Sequence, residues 1–171
     1  NLLYRHGHRR IACVTVDYES VQSRGRREGA LKRIAELNLD MPKEYLCVTR
    51  VMSPEADHGI ARQLLALPKP PTAIAVFCDI IAFQILGALR EAGRPDIAVI
   101  GCGDLPESSS ELISLSTIGE PREDIGRQAA AYLLKCVSGL SLSDLRPTLL
   151  HGKVQERKST NWKGVFQCCD G

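Results

Sequence analysis

Four runs of β-branched and aliphatic residues end in side chains able to do chemistry. Ile11–Val16 leads into Asp17, Tyr18, Glu19 and Ser20, and Tyr45–Val51 leads into Met52 and Ser53. Thr72–Phe77 leads into Cys78 and Asp79, and Ile97–Ile100 into Gly101, Cys102, Gly103 and Asp104. In an open parallel sheet, ligands bind just outside the carboxyl ends of the strands, and three of these ends carry a carboxylate. Arg24, Arg26 and Arg27 cluster at the start of the first long helical segment. A helix N-terminus already bears partial positive charge, so cations there are unfavourable. An arginine kept at that place either serves a polar or anionic ligand through its fork of donors or is simply solvated. Asp79 has two compatible roles, ligand contact and helix N-cap. Asp104, ahead of Leu105-Pro106, is either a ligand contact or a turn former.

Several enzyme signatures fail. Gly101-Cys102-Gly103 follows a strand as a dinucleotide-binding turn would, but the third glycine position holds Pro106 and no helix opens there. A phosphate-loop lysine motif, a GxSxG elbow and an HExxH zinc helix are all absent. His6 and His8 flank Gly7 before the first strand and read as turn or surface features, and His58 has no partner in its own segment. Cys168-Cys169 lies in a polar tail without further ligands for a metal. The reading is therefore a binding protein rather than an enzyme, with no catalytic residue, no cofactor and no metal. The first 33 residues hold eight basic and three acidic residues but no interleaved aromatics, and read as a solvated face rather than a nucleic-acid surface.

The elements that must position these residues alternate. Strand-like Ile11–Val16 is followed by apolar positions Ala30, Leu31, Ile34 and Leu37 at helical spacing within Arg24–Leu37. After Tyr45–Val51, Ser53-Pro54-Glu55 opens a helix that presents Ala56, Ile60, Leu64 and Leu67 on one face and stops at Pro68. Thr72–Phe77 is a continuous apolar run, as expected of a strand buried on both faces. A helix follows over Ile80–Ala92, ended by Gly93 and Pro95. Ile97–Ile100, Leu115–Ile118 and Pro147–Gln155 complete the strands, and Pro121–Val137 is a helix with Ile125, Ala129, Tyr132, Leu133 and Cys136 aligned. Strands alternating with helices of this length imply βαβ units, a mainly parallel sheet, and helices on both faces.

The 171 residues carry a net charge of +2, with 44% hydrophobic and 25% charged residues, which excludes a disordered or collagen-like chain. No apolar run approaches the length of a membrane span. Seven cysteines at irregular spacing, several within strand-like runs, fit a reducing cytosol and hence a cytoplasmic protein. A chain opening on Asn1-Leu2-Leu3-Tyr4, already apolar and helix-like, reads as a fragment of a longer protein.

In order and spacing, these pieces resemble the LacI/GalR family of bacterial transcription regulators. The resemblance rests on Gly7-His8-Arg9-Arg10-Ile11-Ala12, Arg26-Arg27-Glu28-Gly29, and Leu64-Leu65 through Pro71-Thr72-Ala73-Ile74. It continues through Asp79-Ile80-Ile81-Ala82, Ala88-Leu89-Arg90-Glu91-Ala92-Gly93 and Ile100-Gly101. It ends with Ser116-Thr117-Ile118, Pro121, Ile125-Gly126 and Glu156-Arg157-Lys158-Ser159. It covers residues 1–160.

The resemblance implies a periplasmic-binding-protein-like (type I) α/β fold, a parallel sheet flanked by helices, with one complete lobe and part of a second. Residues 11–115 and 153–160 would form the C-terminal lobe, 1–10 and 118–150 part of the N-terminal lobe, and 161–171 a tail. The apolar face of the 121–137 helix would then lack its usual sheet, making the fragment unstable alone or dependent on a partner. The implied function is effector sensing: a sugar or nucleoside-like small molecule changes affinity for operator DNA, which a preceding helix-turn-helix domain would bind. A homodimer would use Ile80–Ala92 and Ser108–Ser116. Position by position, Arg26 matches the family's effector-binding arginine. Ser20 and Gln22 fall in the loop that reaches the effector, and Met52 falls where an aromatic often packs on it. Cys78-Asp79 stands where many members have Asn-Asp. Gly103-Asp104 stands where many have two aspartates, so Gly103 loses an acceptor for ligand hydroxyls and Asp104 is the substitute. A small-molecule-binding protein of the same fold without DNA binding, and a nucleotide-dependent α/β enzyme, are the rival readings.

Overall fold

The structure is a computed structural model and describes residues 1–16, 21–49, 53–139, 141–146 and 148–161. Ser20 and Met52, two of the residues singled out above, lie outside that set. Six strands form one sheet in the order β2-β1-β3-β4-β5-β6. They are β1 (Ile11–Val16), β2 (Leu46–Thr49), β3 (Ala73–Val76), β4 (Ala98–Gly103), β5 (Ser116–Gly119) and β6 (Lys153–Gln155). The first five run parallel, and β6 joins β5 antiparallel with Ile118 opposite Val154. The helices are α1 (Leu2–Arg5), α2 (Val21–Glu36), α3 (Pro54–Leu65), α4 (Asp79–Glu91) and α5 (Arg122–Val137).

Strand alternation divides the core in two. Ala12, Val14, Ile74, Val76 and Val99 point to one face and pack with Ile60 and Leu64 of α3 and Ile81, Ile85 and Leu89 of α4. Ile11, Ala73, Ala98 and Ile100 point to the other, where α1 lays Leu2 and Leu3 on them. Residues 1–10 were grouped by resemblance with 118–150, yet α1 shares the core of this sheet. From β1 the chain first steps outward to β2, then returns to β3 on the other side of β1. Right-handed crossovers in opposite directions place α2 and α3 on opposite faces. Helix α2 begins three residues earlier than its apolar spacing suggests and buries only Ile34, so its polar first turns are free to face the strand ends.

Ser53 caps α3, its Oγ accepting from Ala56 N at 3.2 Å, with Pro54 in the first turn as the sequence predicts. Asp57 on that turn is buried, and its Oδ1 has no hydrogen-bond partner among the described residues. Burial pushes its carboxyl above the ordinary value of 3.8, although His58 opposes the shift. The folded state therefore holds this proton to higher pH than the unfolded chain, and stability from this group is lost as pH rises through the raised value. The expected result is that Asp57→Asn, weak near about pH 4, gains stability relative to wild type by about pH 7. Thermal melts across that range check it, and a constant difference refutes it.

Buried Cys13 has its thiol pushed up to about 12, mainly by desolvation, so it remains a protonated, inert thiol. Cys13, Cys47, Cys78, Cys102 and Cys136 are all free. Helix α5 buries none of its residues: Leu133 and Leu134 are each 69% exposed and Val137 81%. No helix among the described residues is long and apolar enough to cross a membrane.

Candidate functional site

The strand order reverses between β1 and β3, and a crevice opens where two crossovers leave in opposite directions. There the structure has a cavity of about 380 Å³. Thr15 and Val16 line it from the end of β1, Phe77 and Cys78 from the end of β3, and Cys102 and Gly103 from β4. The start of α2 adds Gln22, Ser23 and Arg26, and the turn after β5 adds Glu120. Of the three clustered arginines, Arg26 is the one that lines this cavity; Arg24 is exposed. Its Nη1 donates to the Phe77 carbonyl at 3.2 Å and its Nη2 to Glu120 Oε1. Gln22 Nε2 donates to the same oxygen at 3.1 Å. Burial pushes the Cys102 thiol up, while the nearby Arg26 guanidinium pulls it the other way.

Asp79 sits elsewhere. Cys78 is the residue that precedes α4 in extended conformation, and Asp79 is the first helical residue, so Asp79 is not the N-cap. Its carboxylate is buried and accepts three hydrogen bonds: Leu105 N at 3.0 Å, Ser108 Oγ at 2.9 Å and Thr117 Oγ1 at 2.7 Å. It ties the N-terminus of α4 to the segment after β4 and to β5, and it does not line the cavity. The neighbouring glycine is explained by the same carboxylate. A Cβ at Gly101 would stand 2.1 Å from Asp79 Oδ1 and 2.8 Å from Leu115 Cδ2. The Gly101-Cys102-Gly103 run thus makes room for a carboxylate, not for a phosphate.

Asp104 has φ +50, a left-handed conformation that aspartate tolerates. Its Oδ1 accepts from Arg157 Nη2 at 2.9 Å, and its backbone N–H donates to Thr117 Oγ1 at 3.3 Å. It lines a second depression, of about 590 Å³, with Arg122, His151 and Lys153, which shares only Gly103 and Glu120 with the Arg26 cavity. Arg157 belongs to a returning segment that fastens the sheet. Ser159 Oγ donates to the Val99 carbonyl at 2.6 Å and accepts from Ser116 N at 2.7 Å, and Ser116 Oγ donates to the Arg157 carbonyl at 2.9 Å.

Of the residues singled out in the sequence, the cavity therefore gathers Arg26, Gln22 and Cys78, whereas Asp79 and Asp104 are engaged outside it. Cys102 lies at a strand end the sequence had marked, whereas Glu120, Thr15 and Phe77 were not foreseen. Glu120 had a usable signal, since it follows the end of β5 just as Asp79 and Asp104 follow theirs.

Residues 1–160 match the family model described as a periplasmic binding protein-like domain. The chain is 32% identical over 145 residues to the HTH-type transcriptional repressor CytR of Escherichia coli K12, covering 81% of this chain and 41% of that protein. It is 30% identical over 160 residues to the HTH-type transcriptional repressor PurR of Yersinia enterocolitica, covering 92% of this chain and 46% of that one. It thus spans less than half the length of these two relatives. Among solved structures, a regulatory protein of the LacI family from Chloroflexus aggregans superimposes with a TM-score of 0.83 at 28% identity, over 91% of this chain and 56% of that one. The chain belongs to the periplasmic binding protein-like domain family.

Proposed function

We propose that this chain is the effector-sensing part of a DNA-binding transcriptional regulator and binds its ligand in the Arg26 cavity. The carrying observation is a cavity at the strand-order reversal, with a guanidinium held over it by the Phe77 carbonyl and Glu120. Its relatives named as repressors support the DNA-linked role. The effector is a sugar or nucleoside-like molecule, which is bound rather than turned over. Effector and operator each favour one arrangement of the protein, so each changes the other's affinity by the same factor. Operator binding places the protein in the cytoplasm. The test is a thermal-shift screen of sugars and nucleosides on the full-length protein, with Arg26→Ala as control. A ligand that stabilises wild type alone supports the reading. A ligand that stabilises both equally refutes the site.

In this reading, 11–115 and 153–160 form one lobe and 118–150 leads into a second. The uncovered apolar face of α5 supports that division. The homodimer surface is α4 with the segment 108–116. Arg90 fastens the two together by donating to the Leu112 and Ile113 carbonyls, and Ile80 (47%) and Leu112 (84%) are left exposed. Leu112→Asp is expected to convert the dimer to monomer in analytical ultracentrifugation, with the far-ultraviolet circular dichroism of the folded chain unchanged. A dimer of undiminished affinity refutes this surface.

A further inference from the structure

Glu120 is where the chain leaves β5 for α5, and it is tied by its Oε1 to two residues of the first turns of α2. It is the anionic partner of Arg26, the one arginine or lysine among the described residues that line the cavity. No other aspartate or glutamate is among those lining residues. Both groups are about one-third exposed, at 29% for Arg26 and 33% for Glu120, so the pair looks into the cavity rather than being sealed off from it.

We propose that Glu120 sets the charge class of the effector: by neutralising Arg26 it makes the cavity select uncharged, hydroxyl-bearing ligands and reject anionic ones. This rests on the reading of the cavity as the effector site. A guanidinium beside a carboxylate offers donors and acceptors side by side. Adjacent hydroxyls of an uncharged ligand can donate to the carboxylate and accept from the guanidinium without separating the pair. Thr15 and Gln22 add further polar contacts, and Val16 and Phe77 give the cavity an apolar wall. A phosphate or carboxylate ligand meets the opposite situation. To reach the remaining N–H groups of Arg26 it must approach the Glu120 carboxylate, bringing two like charges together, or push Glu120 off both its donors. Arg26 is then no general anion receptor, and Gly103, which lacks a carboxylate, leaves hydroxyl recognition to Glu120.

The test uses inorganic phosphate as the probe, in calorimetric titrations at low salt, on full-length wild type, Glu120→Gln, Glu120→Ala and Glu120→Gln combined with Arg26→Gln. Phosphate is expected to bind Glu120→Gln and Glu120→Ala at least about tenfold more tightly than wild type, because the like charge beside Arg26 has gone. The gain is expected to vanish in the double variant. Having two replacements guards against one that misfolds, and melting curves show which are folded. Wild type binding phosphate as tightly as the Glu120 variants overturns the proposal. So does a gain that survives the loss of Arg26, or the absence of any gain in a folded variant. If a screened effector still binds wild type in an Arg26-dependent way, these outcomes remove the role of Glu120 while leaving the cavity assignment intact. Effector binding that ignores Arg26 removes the cavity assignment itself.

Discussion

Asp79→Ala is expected to lower the unfolding free energy by about 3–5 kcal/mol, because three donors lose their shared acceptor and each buried donor left unsatisfied costs about 1–3 kcal/mol. The carboxylate accepts from Leu105 N, Ser108 Oγ and Thr117 Oγ1, and alanine leaves all three donors without it. Ser108 and Thr117 are fully buried, so water cannot replace the lost acceptor without opening the structure. For a chain of this size such a loss lowers the melting temperature by roughly 10 °C, and urea unfolding checks it directly. Asp79→Asn is expected to cost less, because the amide keeps one acceptor oxygen.

The Gly101 contact supplies an internal control. Gly101→Ala drives a Cβ to 2.1 Å from Asp79 Oδ1, and the partner is a buried carboxylate held by three bonds, so it cannot swing away. Alone, Gly101→Ala is expected to be severely destabilising. In the Asp79→Ala background the obstructing carboxylate is gone, and the remaining contact is a flexible leucine end, Leu115 Cδ2. The two costs therefore fall short of additivity by at least about 1 kcal/mol in a double-mutant cycle. Additive costs would mean that the glycine and the carboxylate are independent.

Arg26→Ala is expected to weaken effector binding by about 10–100-fold, which corresponds to one hydrogen bond from a charged donor. Arg26→Lys is expected to rescue little. The guanidinium spans two acceptors at once, Phe77 O and Glu120 Oε1, and a lysine ammonium on a flexible stem cannot hold that fork. Under the proposed function, operator affinity without effector stays close to wild type while the effector's influence on it shrinks. Parallel calorimetry and operator titrations separate these. Loss of operator binding with effector response preserved would place Arg26 in the structural frame instead.

The sheet and its helices were legible because they rest on periodicity. The apolar run 72–77 and the 80–92 stripe contain β3 and α4 to within a few residues. The short α1, the early start of α2 and the antiparallel direction of β6 were less so. Helix α2 buries one residue, so its first turns carry no apolar pattern, and β6 is three exposed residues. In the candidate site, the arginine cluster at a helix start pointed to Arg26, the family resemblance to Gln22, and the rule of strand ends to Cys78. That rule also attracted Asp79, whose true partners come from positions 105, 108 and 117. Nothing near Asp79 in the chain announces them. Glu120 shows the same limit in reverse, since its partners lie at 22 and 26, far back in the sequence.

The stitch made by Ser159 has a consequence for synthesis. The Val99 carbonyl and the Ser116 amide are joined by a side chain made only after α5 and the segment that follows it. On the ribosome, β5 emerges with its outer edge bare, and β6, which covers it, ends at residue 155. At about 5–20 residues per second that interval lasts on the order of seconds. During it the nascent chain exposes both an open strand edge and the uncovered leucines of α5. Pausing within 120–152 would lengthen that exposure, whereas swift translation through it shelters the edge soonest.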